Sequence, residues 1–459
     1  MIPFPGFRKI HFVGIGGSGM SGLAEVMAGN GFEVSGSDIV SSPVTGYLAS
    51  LGIEVSLTHS NDKVKSCDTV VYSSAIPRDN PELQASRNRG IPTVRRAELL
   101  GELMKQKWAL AVSGTHGKTT TTLMLGSIWS RTETGPTVIG GGTPQGQSSG
   151  VLTGTGPYLI AEADEYDRSF LSMYPTVAVI TNIDEDHMDC YKDLTQIKDA
   201  FVQFTEKTPF YGFIVANLDD PGIQDILPRI KRRVITYGLS SGADYRAENL
   251  DGGYGGTRFS VSRDGTHLSS LQLKLFGKHN VSNALAAFAL SHSLGISAKI
   301  IQSGLEEFRG AGRRLEFIGE AGDMSFLDDY AHHPREIRAS LEAVRETYPR
   351  RLAVIFQPHL YSRTRLLCDD FATALLNCDV LYITPVYAAR ERPVHGVEGN
   401  MISDKAMQLG HPCVRYVPAG DEAALKIKPG LKPGDVVLTM GAGDIWKTGR
   451  RLMDLMEEQ

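Results

Sequence analysis

The stretch from Leu110 to Leu125, LAVSGTHGKTTTTLML, constrains this chain most. The apolar run Ala109 to Val112 reads as a buried strand, Gly114 and Gly117 as a tight turn, and Lys118, Thr119 and Thr120 as the opening of a helix. That order suits a phosphate. Glycines let backbone N–H groups converge on an anion, the helix N-terminus adds partial positive charge, the Lys meets the outer phosphates, and a Thr hydroxyl can ligate Mg²⁺. The spacing is a variant one, because Val112 stands where the usual loop has its first glycine. An ordinary glycine turn between strand and helix would not call for the Lys and four threonines as well.

At 459 residues the chain exceeds one core and suggests about three domains of roughly 150 residues each. With 47 basic against 52 acidic residues and a net charge of −5, nothing favours nucleic acid, so an anionic ligand must be met by local basic groups. The five cysteines are scattered and never spaced C-x-x-C, which points to reduced thiols in a cytoplasm rather than disulfides or structural zinc. Without a long apolar run or a signal-type N-terminus, no membrane insertion is expected.

Upstream, the strand Lys9 to Val13 runs into Gly14, Gly16, Gly17, Ser18 and Gly19 and a helix. Asp38 follows 19 residues after Gly19 at the end of a second strand that includes Ser37. This is the G-x-G-x-x-G fingerprint in its strand-to-helix setting. It reads a pyrophosphate on a helix N-terminus, and so does not separate NAD from a sugar nucleotide. Ser73 and Ser74 end a third strand, as ligand groups or as turn chemistry. Downstream of the phosphate loop, 135–156 reads as a long glycine-rich loop. Acidic clusters at two strand ends, Glu162 to Asp167 and Asp184 to Asp189, offer the carboxylate oxygens that Mg²⁺ requires, with His187 beside the second. From Asp323 strands and helices alternate again as a doubly wound sheet, with polar groups at Asp328 to Pro334 and Phe356 to Arg365, and single helices expected over Thr364 to Leu376 and Asp444 to Met456.

These motifs, SGTHGKTTTT, EADEYDRSFL, DEDHMD, GKHNVSNALAA, DDYAHHP and FQPH, together resemble the Mur ligases, ATP-dependent amide-forming enzymes of peptidoglycan synthesis, along almost the whole chain. The resemblance implies an α/β protein of three domains: a Rossmann-like UDP-sugar domain (1–107), a P-loop ATPase domain (108–314) and a Rossmann-like C-terminal domain (315–459). It implies ATP on Gly114, Thr115, His116, Gly117, Lys118, Thr119, Thr120, Asn280 and Asn283, with Arg314 reaching the γ-phosphate and Asp329 the ribose. Mg²⁺ would be held by Thr119, Glu162 and His187. Substrate would meet Gly14, Gly16, Gly17, Ser18, Gly19, Ser37, Asp38, Ser73, Ser74, His332, His333, His359 and Arg363, the C-terminal domain closing to exclude water. Lys118, Glu162, His187, Arg314 and His333 would serve catalysis.

Within the family the motifs look like those of the member that joins L-alanine to the carboxylate of UDP-N-acetylmuramate through an acyl phosphate. One departure stands out: the family usually has Arg where this chain has Leu360. A ligase attaching a whole peptide to the same nucleotide would share most motifs. An NAD-dependent dehydrogenase, the other reading of the N-terminal fingerprint, leaves Lys118, Glu162 and His187 without work.

Overall fold

The computed structural model describes residues 4, 6–147, 149–188, 190–253, 255–389 and 391–457, the side chain of Ser18 excepted. Among the described residues there are three sheets. The N-terminal one is parallel, in the order Glu54–Ser56, Glu33–Ser37, Lys9–Val13, Thr69–Tyr72, Thr93–Arg95, so Lys9–Val13 lies at its centre and the chain winds outward to both sides. The carboxyl ends flanking this central strand form the crevice where an open sheet binds ligands. Two helices that the sequence reading passed over belong to this domain. Pro43–Ser50 is opened by Ser42, whose hydroxyl accepts from Thr45 N, and Pro81–Asn88 by Asn80, whose carboxamide accepts from Glu82 N and Leu83 N. Both carry Pro in the first turn, where its missing N–H costs nothing.

The central sheet has ten strands, with Trp108–Ser113 between Val177–Ile180 and Tyr158–Glu162. It continues through Phe213–Asn217 and Arg233–Gly238 on one side and Thr137–Ile139 on the other, all parallel. The stretch 135–156 is therefore not a plain loop. It holds Thr137–Ile139 and Val151–Leu152, paired antiparallel, because β-branched residues interrupt its glycines.

Residues up to Leu250, with Arg258–Leu273 and Asn280–Arg309, form one compact unit, and Asp251–Thr257, Lys274–His279 and the chain from Gly310 form a second. One apolar core runs through the first unit, from Phe12 and Met27 through Leu100 and Met104 to Phe170, Phe201 and Ile214. Helix Arg96–Met104 lies so close to Tyr166–Ser172 that a Cβ on Gly101 would stand 2.1 Å from the Ser172 carbonyl oxygen. The second unit carries the third sheet, ordered Glu316–Ala321, Met324–Asp329, Val436–Met440, Leu352–Phe356, Val380–Ile383, Val414–Tyr416, parallel but for its first strand. The single helix expected over Thr364 to Leu376 is three pieces, Tyr361–Leu366, Cys368–Ala374 and a 3₁₀ turn Leu375–Asn377, broken at Leu367, where ψ turns to +21°. The last helix begins at Trp446 rather than Asp444. Among the described residues no helix is long and apolar enough to cross a membrane.

Candidate active site

Gly114 and Gly117 hold φ of +129° and +84°, conformations that a side chain resists. A Cβ on Gly114 would fall 2.0 Å from Thr181 Oγ1, and one on Gly117 would fall 2.5 Å from Asn283 Oδ1. The turn is thus held tightly between the neighbouring strand end and the buried Asn280 and Asn283 of helix Lys278–Ser293. Asn182 fixes its rim: His116 N donates to Asn182 Oδ1 (2.8 Å), Asn182 Nδ2 donates to the His116 carbonyl (3.0 Å), and Thr115 Oγ1 accepts from Asp184 N (2.9 Å). Helix Lys118–Trp129 then starts with its N-terminal N–H groups facing the turn.

Lys118 folds back over this turn. Its Nζ donates to the carbonyls of Gly114 (2.7 Å) and Thr115 (3.2 Å) and to Glu165 Oε2 (2.7 Å), with Asp164 Oδ1 at 3.6 Å. Burial works against the ammonium, yet the Glu165 and Asp164 carboxylates hold its pKa above the usual lysine value. For Glu165 burial likewise opposes the charge, and Lys118 with His187 brings the carboxyl down to about 2. His187, at φ +57°, sets Nε2 3.5 Å from Glu165 Oε1 and its ring edge-on to Tyr166. Its pKa moves up, Glu165 and Asp186 outweighing burial. Glu162 accepts from Thr119 Oγ1 (3.3 Å) and Gly141 N (2.5 Å), while burial pushes its own pKa up. The glycines of 140–142 are what permit this approach, since a Cβ on Gly141 would meet Glu162 Oε2 at 2.6 Å and one on Gly142 would meet Thr119 Cγ2 at 2.9 Å.

Thr119 and Glu162 therefore come together as one pair of hard oxygen donors. His187 joins Asp164 and Glu165 instead, the three offering ligand atoms within 4.8 Å of one another. Glu165, Asn182 and Gly141 were not singled out from sequence, although Glu165 stands in the same EADE stretch as Glu162.

In the N-terminal sheet, a cavity of about 660 Å³ lies over the glycine turn, lined by Gly14, Gly16, Gly17, Asp38, Ser73 and Ile76 among others. Asp38 Oδ2 accepts from Gly16 N (2.8 Å), and a Cβ on Gly16 would meet that oxygen at 2.9 Å. Gly19 lies against the guanidinium of Arg96. Ser74 is exposed outside the lining, and the side chain of Ser18 lies outside the described residues. Ser37 is a correction: its hydroxyl is fully buried and donates to Glu82 Oε2 (2.5 Å), so it braces the floor rather than facing the cavity. His59, which accompanies Glu82 (3.0 Å) and lines the cavity, was missed, because nothing in the sequence ties it to the glycine turn.

In the second unit Arg313 is the structural arginine of the adjacent pair, donating to Asp328 (2.8 Å) and to the carbonyls of Gly443 (2.8 Å) and Gly441 (2.6 Å). Arg314 reaches Glu336 (3.4 Å) over the Tyr330 ring. Asp329 is buried and accepts from Ala331 N (2.9 Å) and Ser340 Oγ (2.6 Å), burial raising its pKa to about 6. His333 precedes helix Pro334–Thr347 as its N-cap residue. The His332 ring meets His359 edge-on at 5.6 Å, and His359 stacks on Tyr387 at 6.0 Å. Leu360, next in sequence, is buried at φ +68°.

A phosphate loop facing clustered carboxylates, a pyrophosphate-type glycine turn and a third α/β sheet define a three-domain nucleotide-dependent ligase, and this chain belongs to the Mur ligase family. Residues 9–108 match the family's catalytic domain, 112–291 the Mur ligase middle domain, and 313–443 the Mur ligase, glutamate ligase domain. Among curated relatives, the chain is 45% identical to the UDP-N-acetylmuramate–L-alanine ligase of Salinibacter ruber, covering 98% of this chain and 95% of that protein. It is 47% identical to the ligase of the same name from Solidesulfovibrio magneticus (97% and 98% covered). The crystal structure of UDP-N-acetylmuramate-alanine ligase from Thermotoga maritima superposes with a TM-score of 0.83 at 32% identity, over 98% of this chain and 99% of that one. A murein peptide ligase from Psychrobacter arcticus shares the fold, with a TM-score of 0.74 at 24% identity and the same coverage.

Proposed function

We propose that this protein is the ligase that joins L-alanine to the carboxylate of UDP-N-acetylmuramate at the expense of ATP, in peptidoglycan precursor synthesis. Identity of 44–47% along the whole chain to curated enzymes of that activity carries the reading. ATP lies along Gly114 to Thr120, with Asn280 and Asn283 behind the turn. Lys118 exchanges its Glu165 and carbonyl partners for the outer phosphates and neutralises the transferring group. Thr119 and Glu162 suit Mg²⁺, being a hydroxyl and a carboxylate 3.3 Å apart, approached closely by the backbone of Gly141 and Gly142. The ion, when bound, offsets phosphate charge. Asp164 and His187 stand at the rim of the same site, where the Glu165 carboxylate orients the His187 ring and raises its pKa. The cavity at Gly14 to Gly17 and Asp38 takes the UDP group. Arg314, Asp329, His332, His333, His359 and Arg363 keep the roles that the family resemblance gives them. The domain limits 1–107, 108–314 and 315–459 belong to the same proposal.

Phosphate release by the purified enzyme, given UDP-N-acetylmuramate, ATP and each amino acid in turn, tests the assignment. L-alanine is expected to support turnover. Turnover with a tripeptide alone would make this the peptide-adding member, and tight NADH binding without ATP dependence would overturn the reading.

Two variants probe the parts. Glu162→Ala is expected to raise the Mg²⁺ concentration for half-maximal activity by about tenfold or more, since one of few hard ligands is lost. An unchanged Mg²⁺ titration would make Glu162 a purely structural acceptor for Gly141 N. Position 360 presents no cation of its own here, because a leucine stands there. Arg363→Ala is therefore expected to raise KM for the sugar nucleotide and Leu360→Arg to lower it, with KM for ATP unmoved in both. If both leave the nucleotide KM where it was, this loop does not touch the substrate.

A further inference from the structure

Four parallel strands at the centre of the ten-stranded sheet, Arg233–Gly238, Phe213–Asn217, Val177–Ile180 and Trp108–Ser113, lie side by side in that order. Their amino ends share one edge, and the residues there are aromatic and basic. Arg232 and Arg233 stand at the first, Phe210 and Tyr211 before the second, Tyr174 before the third, and Lys105, Lys107 and Trp108 at the fourth. Phe210 is 90% exposed, Tyr211 61%, Trp108 48% and Tyr174 39%. Three of them form a ridge, Tyr211 meeting Trp108 at 5.9 Å and Phe210 at 5.3 Å, while Lys105 and Lys207 lie over the Tyr174 ring at 4.3 and 5.7 Å.

The ridge is built to stay out. A Cβ on Gly212 would stand 2.0 Å from the Thr176 carbonyl oxygen, which presses the Thr208 to Gly212 turn against the sheet edge. Arg232 clips the same turn through Thr208 O (2.6 Å) and Glu206 O (3.2 Å). Pro209 stiffens the approach to Phe210. The turn thus carries Phe210 outward on a fixed backbone instead of folding it inward, so its exposure is a property of the fold.

We propose that this edge docks the enzyme on a bilayer surface rich in anionic lipid, as a peripheral contact and not an inserted span. Trp and Tyr favour the boundary where one end of the ring is apolar and the other wet, and Phe210 supplies the apolar tip. The charge fits the same surface. Lys105, Lys207, Lys231, Arg232 and Arg233 gather along this edge on a chain whose net charge is −5, Lys105 pairing with Glu102 and Lys231 with Glu206, while Lys107 turns inward to Gly156 O (2.8 Å). A protruding tip that is nine-tenths exposed suits a deformable surface better than a rigid partner, which would need a matching pocket. The phosphate loop lies at the carboxyl end of Trp108–Ser113, about 20 Å along the strand, so docking leaves it uncovered. This inference does not rest on the ligase assignment.

Flotation of the full-length protein with vesicles of phosphatidylcholine alone, and of phosphatidylcholine with phosphatidylglycerol, tests it. Binding is expected only to the second and should weaken as salt rises. Phe210→Ala with Tyr211→Ala, and separately Lys207→Glu with Arg233→Glu, should each cut the bound fraction about tenfold or more, with kcat in solution unchanged. Phe210→Ser alone removes a side chain outside the core, and its thermal midpoint shows that the fold survives. Equal binding to both vesicles, none to either, or full binding by the variants would overturn the proposal. So would a concentration-dependent dimer that the aromatic variants abolish while vesicle binding persists, since the ridge would then belong to a second copy of this chain.

Discussion

Lys118→Ala is expected to lower kcat by about a thousandfold or more while moving KM for ATP far less, because a charge placed against a transferring phosphoryl group matters most where negative charge develops. The ground state already gives Lys118 what it needs: Glu165 at 2.7 Å, Asp164 at 3.6 Å and two carbonyls. Taking those partners away for phosphate oxygens is an exchange of one anionic environment for another, so binding gains little and the transition state gains most. The same variant leaves Glu165 buried with only His187 opposite, and losing one partner of a buried ion pair costs about 3–5 kcal/mol. The thermal midpoint is therefore measured beside kcat, and Lys118→Met with Glu165→Gln, which removes both charges, separates the effects. If that double variant regains the midpoint but not the rate, the ammonium acts in the chemistry. A single variant keeping more than about a tenth of wild-type kcat would sink the phosphate-loop assignment.

What the sequence made legible follows from how local the physics is. The strand, glycine turn and Lys-Thr helix start occupy one short stretch, and each residue there has a conformational or charge reason readable in isolation, so Gly114 to Thr120 lie where the pattern put them. Glu162 was legible as a carboxylate ending a strand beside that turn. Its actual partners, Thr119 Oγ1 and Gly141 N, depend on a return of the chain across the sheet that composition does not encode. The 135–156 stretch misled because its glycines look like a loop, whereas they serve close approach between strands and carboxylate. Ser37 misled for the opposite reason: a hydroxyl at a strand end looks like a ligand group until Glu82, forty-five residues on, is seen buried behind it. The helices at Pro43 and Pro81 were readable from Ser-Pro and Asn-Pro signatures and needed only attention to capping. The 107/108 boundary marks a change of sheet but not of core, since Leu100 and Met104 pack in one cluster with Phe170 and Met173.

With ¹⁸O in both oxygens of the muramyl carboxylate, one labelled oxygen is expected in each inorganic phosphate released and the other in the new amide, with ADP unlabelled. The accounting is forced by an acyl phosphate: the carboxylate oxygen attacks the γ-phosphorus, the γ-to-β bridging oxygen leaves with ADP, and the alanine amine then displaces phosphate together with the oxygen that joined it to the acyl carbon. The amine loses a proton as the amide forms. The proposed site favours this order, because Lys118 and the Thr119–Glu162 pair stand at the head of a helix, where outer phosphates placed as proposed would have attack at phosphorus electrostatically assisted. Label transfer should require ATP and Mg²⁺ together. Label in AMP would mean attack at the α-phosphorus and an adenylate, for which the charge at Lys118 is misplaced. Unlabelled phosphate in the presence of amide product would separate ATP hydrolysis from acyl activation altogether, and the roles assigned to Lys118, Thr119 and Glu162 would fall with it.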